Sequence, residues 1–148
     1  MQQSHTVIVA AVVPFAEDGG DDVLVLDRDG AIALPLGALT PGERVLDAAV
    51  RIVFETTRLR VAPLRVLYLL ENAEGGVVFG VLCAPSDDGG HETDFHGDLA
   101  SLSRIERDFL PMALLEILVE DLRSGFIRPI AHVIESSGPE GRSLHVTW

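Results

Sequence analysis

The sequence predicts an α/β fold, and three observations carry that prediction. Short β-type runs open the chain, helix-spaced apolar stripes follow at Leu46 to Val53 and again at Leu114 to Leu122, and two longer apolar runs lie between them. Those longer runs, residues 64–70 and 77–84, are apolar on both faces. A sheet built from them needs a covering layer on each side. At 148 residues the chain is expected to form one domain, 1–148, able to bury close to two-thirds of its unfolded surface without a disulfide or metal.

The elements follow in order. Residues 6–15, 23–26 and 31–36 read as strands, with Asp29-Gly30 marking a hairpin turn between the last two. Leu46, Ala49, Val50 and Val53 fall at i, i+3, i+4 and i+7, so a helix over about 43–58 packs that face inward and turns Asp47, Arg51, Glu55 and Arg58 outward. Thr40 and Glu43 have the spacing of a capping box, which would put Pro41 at the first helical position. The two long strands come next, joined through residues 71–76 by a turn-rich hairpin connection. Residues 86–98, SDDGGHETDFHGD, are acidic and glycine-rich and read as a loop. His91, Glu92, Asp94 and His96 within it carry metal-ligand chemistry at a spacing that matches no metal motif. A second helix is expected over about 111–124, with Leu114, Leu115, Leu118 and Leu122 as its stripe and Gly125 as its stop. Residues 126–148 alternate like a terminal strand pair, with His132 and His145 as packed or surface residues within it.

Composition narrows the function classes. The net charge of -12 opposes binding of a nucleic acid duplex, whose affinity comes from cations neutralising phosphates. No lysine occurs, so Schiff-base chemistry and a P-loop lysine are excluded and every non-histidine side-chain cation is an arginine. No apolar run approaches the roughly 20 residues of a membrane-spanning helix. The lone Cys83 lies in an apolar run and reads as a buried small hydrophobe, and with no basic leader before the first strand the expected setting is cytoplasmic.

The chemistry concentrates in residues 37–59, GALTPGERVLDAAVRIVFETTRL. This stretch resembles the Nudix box, G-x5-E-x7-R-E-U-x-E-E-x-G-U with U aliphatic, found in hydrolases that cut nucleoside diphosphates linked to another group. Gly37, Glu43, Arg51, Val53, Glu55 and Leu59 match, whereas Ile52, Thr56 and Arg58 stand where Glu, Glu and Gly are expected. The resemblance covers roughly residues 5–124 and implies an α/β/α sandwich with a mixed sheet, Mg²⁺ or Mn²⁺ as cofactor, and a homodimer. It carries catalytic roles to Glu55, Arg51 and Glu43, a metal contact to Glu55, and ligand contacts to Arg58, Ile52, Thr56 and Gly37.

Helix geometry gives the departures their weight. Carboxylates at 52, 55 and 56 would share one face and hold a hard cation through oxygen. Here that face offers Glu55 alone, a weak site at most. Losing the ion removes a Lewis acid worth several kcal/mol, and each roughly 1.4 kcal/mol is about tenfold in rate. Arg51 and Glu43 also have structural readings: Arg51 as a brace between Asp47 and Glu55, Glu43 as a helix cap. Arg58 complements the helix dipole, and with Arg60 it would attract a phosphate. The expectation is a catalytically impaired relative that binds a small, nucleotide-derived or phosphorylated ligand, or a protein partner, in a pocket beside the box helix. An active Mg²⁺- or Mn²⁺-dependent hydrolase drawing a base from Glu106, Glu116 or the acidic loop is the alternative, and a structural homodimer is the second.

Overall fold

Alternation along the first strand sets up the layers. Val9, Ala11 and Val13 join one buried cluster and Ala10 and Val12 another, so two cores form on opposite sides of one sheet. The computed structural model describes residues 6–15, 22–73, 75–86, 97–101, 109–110, 115–139 and 141–147. In these, the elements are β1 (Val7–Val12), β2 (Asp22–Arg28), β3 (Ala31–Ala33), β4 (Leu36–Ala38), α1 (Val45–Thr57), β5 (Val61–Glu71), β6 (Val77–Pro85), β7 (Asp98–Ser101), β8 (Phe109–Leu110), α2 (Leu115–Ser124), β9 (Ala131–Gly138) and β10 (Gly141–Thr147).

The main sheet is six-stranded, in the order β10-β9-β5-β6-β1-β4. β1 runs parallel to β6 and β5 parallel to β9, while the other pairs are antiparallel, so the sheet is mixed. Ala48, Ala49, Ile52 and Val53 of α1 pack on one side with Val9, Val81 and Leu24. Ile117 and Leu118 of α2 pack on the other with Val12, Tyr68 and Val133. The result is the expected α/β/α layering. A second, four-stranded sheet has the order β7-β2-β3-β8.

Several expectations need adjustment. Residues 31–36 form two strands in different sheets: β3 pairs with β2, the chain turns at Pro35, and β4 pairs with β1. Proline lacks the N–H a continuous ladder requires, and its carbonyl instead accepts the Ala11 amide at 2.8 Å. The Asp29-Gly30 turn is as expected, with both φ values positive, 52° and 90°. α1 starts at Val45, with Arg44 as an N-cap that makes no side-chain cap bond, so Pro41 is not its first residue. Thr40 and Glu43 do bond each other, but in the turn before the helix. α2 is described from Leu115; residues 111–114, like the loop residues His91 to His96 and Glu106, lie outside the described residues.

The strand pair at the C-terminal end is built into the sheet. β9 lies beside β5, and Ala131 and Val133 are fully buried. A polar network ties this end to α2: Tyr68 donates to Asp121 Oδ2 at 2.7 Å, Arg128 Nε donates to Asp121 Oδ1 at 2.8 Å, and Arg65 Nη2 donates to the carbonyls of Phe126 and Arg128 at 2.6 and 2.8 Å. Burial, with the Asp121 carboxylate beside it, pushes the Tyr68 phenol well above its usual range. Among the described residues no helix is long and apolar enough to cross a membrane.

Tyr68 also determines what β6 can carry. Gly80 faces it across the β5–β6 ladder, and a methyl there would stand 2.6 Å from Tyr68 Cδ2. The ring is fully buried and tethered through its hydroxyl, so it has nowhere to retreat. Gly80→Ala is therefore expected to cost about 1–3 kcal/mol of stability, measured as a lower urea midpoint at unchanged slope; an unchanged midpoint would contradict this packing.

Candidate functional site

The box residues assemble where β4 meets the start of α1. Arg51, on the second turn of α1, reaches back with its guanidinium. Its Nε donates to Glu43 Oε2 at 2.8 Å and its Nη2 to Glu43 Oε1 at 3.0 Å, a two-pronged bond between planar groups. Nη2 also donates to the Ala38 carbonyl of β4 at 3.0 Å, and Nη1 to Glu55 Oε2 at 3.1 Å. One side chain thus ties strand, turn and helix together. Asp47 was expected to flank Arg51 and does not; Glu43 holds that place, brought round by the turn at Pro41 and Gly42.

Glu43 is the more sequestered carboxylate, with its side chain 16% exposed against 59% for Glu55. The Arg51 fork, helped by the Thr40 hydroxyl at 2.8 Å, holds its carboxyl well below the usual range, at about 2. The Arg51 pKa is raised by the same bond. Glu43 is therefore an anion with its oxygens already engaged, suited to anchoring Arg51.

The positions expected to face a ligand divide. Ile52 is 2% exposed and turned into the core. A methyl on Gly37 would come within 3.2 Å of Ile52 Cγ1, so the glycine of the box serves a close approach between β4 and α1. The Thr56 hydroxyl donates to the Ile52 carbonyl at 2.7 Å, a bond within its own helix. Arg58 is exposed and ends α1 with φ 66° and ψ 5°, its amide donating to the Phe54 carbonyl at 2.8 Å. The left-handed stop that the pattern assigns to glycine is kept, and an arginine adopts it at a cost of about 1–2 kcal/mol. Phe54, which no motif points to, carries two guanidinium groups near its ring: Arg58 at 5.5 Å and Arg60 at 5.1 Å from the centroid. The helical i, i+4 step signals the first contact; only the path of the chain after α1 brings the second.

Elsewhere, a cleft of about 310 Å³ is lined by Pro14, Leu64, Leu82, Cys83, Leu122 and Phe126 among others. It lies between β5, β6 and the end of α2, and no box residue lines it, so it is not the pocket expected beside α1. Burial pushes the Cys83 thiol up to about 12, which keeps it protonated and unreactive near neutral pH. His132 Nε2 meets Glu71 Oε2 at 2.6 Å on the sheet surface.

The depressed Glu43 pKa sets a pH window. A carboxyl at about 2 in the fold against 4.5 unperturbed contributes stability fully present above 4.5 and lost as pH falls toward 2. Glu43→Gln is expected to lower the melting temperature at neutral pH, and the gap to the unsubstituted protein to narrow through that window until it closes. Thermal unfolding of both proteins from pH 7 to pH 2 measures it; a gap independent of pH would remove the ionised Glu43–Arg51 bond from the account.

Neither a family model nor a curated protein matches the sequence. Solved structures do resemble the chain. An ADP-ribose pyrophosphatase from Streptococcus suis 89-1591 superposes with a TM-score of 0.66 at 20% identity, over 88% of this chain and 99% of that one. A Nudix hydrolase from Nitrosomonas europaea gives 0.67 at 18% identity, over 88% and 77%. A MutT protein from Bacillus halodurans gives 0.64 at 16% identity, over 95% and 97%. With the mixed sheet between α1 and α2 and the box residues running from β4 along α1, these likenesses establish that the chain has the Nudix fold.

Proposed function

We propose that this Nudix-fold chain binds a small phosphorylated or nucleotide-derived ligand and hydrolyses nucleoside diphosphate derivatives slowly or not at all. The observation that carries the reading is the donor set on α1. Of positions 52, 55 and 56, Ile52 is core and the Thr56 hydroxyl is spent within the helix. Glu55 is left, with one oxygen accepting from Arg51 and Glu43 held by the same guanidinium. Mg²⁺ or Mn²⁺ requires several oxygen ligands at short range. Among the described residues no group of three or more His, Cys, Asp or Glu side chains is placed to hold a metal ion. The donor set of the box therefore does not fit the ion that the fold implies.

What supports a phosphorylated ligand is the fold together with the arginines around it. Structures that superpose on this chain are named for the hydrolysis of ADP-ribose and of UDP-X. Guanidinium is also the phosphate-binding group that a lysine-free chain has available.

Turnover of ADP-ribose, UDP-sugars and nucleoside triphosphates, assayed with Mg²⁺ and with Mn²⁺ at high protein concentration, tests the reading. Activity is expected to be absent or several orders of magnitude below that of an ADP-ribose pyrophosphatase assayed in parallel, and Glu55→Gln is expected to change little. Robust metal-dependent turnover abolished by Glu55→Gln would overturn the proposal and establish a working hydrolase with ligands from outside the box.

A further inference from the structure

The end of α1 combines three features. Arg58 occupies a backbone conformation, φ 66°, that a glycine would adopt without strain. Its guanidinium and that of Arg60 both lie within 5.5 Å of the centroid of the Phe54 ring. Both side chains are exposed, and among the described residues neither enters an ion pair, although Arg51 and Arg128 each contact two carboxylates. In a chain of net charge -12, two exposed arginines at one ring with no ion pair among the described residues are a local exception.

A helix C-terminus favours a cation through its dipole. That effect would be met by a lysine-like charge anywhere in the last turn, and it explains neither an arginine at a left-handed position nor a second one beyond the helix. Cation–π contact with the Phe54 ring brings both guanidinium groups to one place while both side chains stay exposed to solvent. Planar donor forks in this arrangement match a phosphate or diphosphate group, which accepts paired hydrogen bonds from each arginine. Glu55 shares the helix face of Arg58 at i, i+3, and its Oε2 accepts from Arg51, which lowers the negative field that an anion at Arg58 would meet.

We propose that Arg58 and Arg60, steadied by Phe54, form the binding site for the phosphate or diphosphate group of the ligand. The site lies at the opposite end of α1 from the Glu43–Arg51 brace. This inference rests on the proposed function, since it places the charged part of the ligand posited there.

Metal-free titration calorimetry with inorganic pyrophosphate, at low and at physiological salt, provides the test. The unsubstituted protein is expected to bind, more weakly as salt rises. Arg58→Gly is expected to weaken binding about tenfold, the loss of one charge-assisted bond, while raising the melting temperature because the left-handed strain is relieved. Arg60→Gln should weaken binding similarly without the gain in stability. Arg123→Gln, an equal charge change at the exposed end of α2, should leave binding as it is. No binding by the unsubstituted protein, or equal weakening by Arg123→Gln, overturns the site in favour of dipole capping or a diffuse field. Pyrophosphate binding that survives both Arg58→Gly and Arg60→Gln sinks this site and leaves the proposed function standing, whereas metal-dependent turnover lost in Glu55→Gln sinks the proposed function whatever pyrophosphate does.

Discussion

Arg51 is the constraint on which the functional region depends. Its guanidinium spends four hydrogen bonds on the edge strand β4, the turn before α1, and α1 itself. Charge-assisted bonds of this kind are roughly twice as strong as neutral ones, and the paired geometry with Glu43 fixes orientation as well as distance. The brace sets the angle at which α1 leaves β4, and with it the contact between Ile52 and Gly37 that seals the two together. It also has a chemical consequence. Glu43 has both carboxylate oxygens engaged by Arg51, whereas Glu55 gives it one and stays exposed.

The opposite layer is organised by a buried charge. Asp121 is 3% exposed, and it is satisfied by the Tyr68 hydroxyl and by Arg128. Leaving such a carboxylate unpaired would cost several kcal/mol, so the partners on β5 and on the segment after α2 must be in place together. Arg65 adds a second tie by holding the carbonyls of Phe126 and Arg128. These contacts explain why residues after α2 belong to the body of the fold: β9 completes the sheet against β5, and its inward residues close the core over Tyr68 and Leu70.

Between these two anchors, the residues at which the chain departs from the box pattern share a physical sense. Ile52 packs in the core, Thr56 returns its hydroxyl to the helix, and Arg58 puts a cation where glycine would end the helix without strain. Each makes the surface along α1 less negative. On the proposed reading, a less negative wall suits a phosphorylated molecule and gives a divalent cation less to hold.

The sequence alone determined what local periodicity and spacing can encode. The stripe of Leu46, Ala49, Val50 and Val53 specifies α1, the Asp29-Gly30 pair specifies a hairpin, the double-sided apolar runs specify a covered sheet, and the spacing of Gly37, Glu43, Arg51 and Glu55 specifies the box. Contacts between residues far apart in the chain were decided only by the tertiary structure. Glu43, not Asp47, meets Arg51, because the turn at Pro41 and Gly42 folds it back over the helix; Pro35 sends β3 and β4 into different sheets; and Ile52 points into the core because Gly37 leaves room for it. Local signals report which face of a helix or strand is apolar, but they carry no information on which partner that face or its edge will meet, since that depends on how the whole chain closes around its two cores.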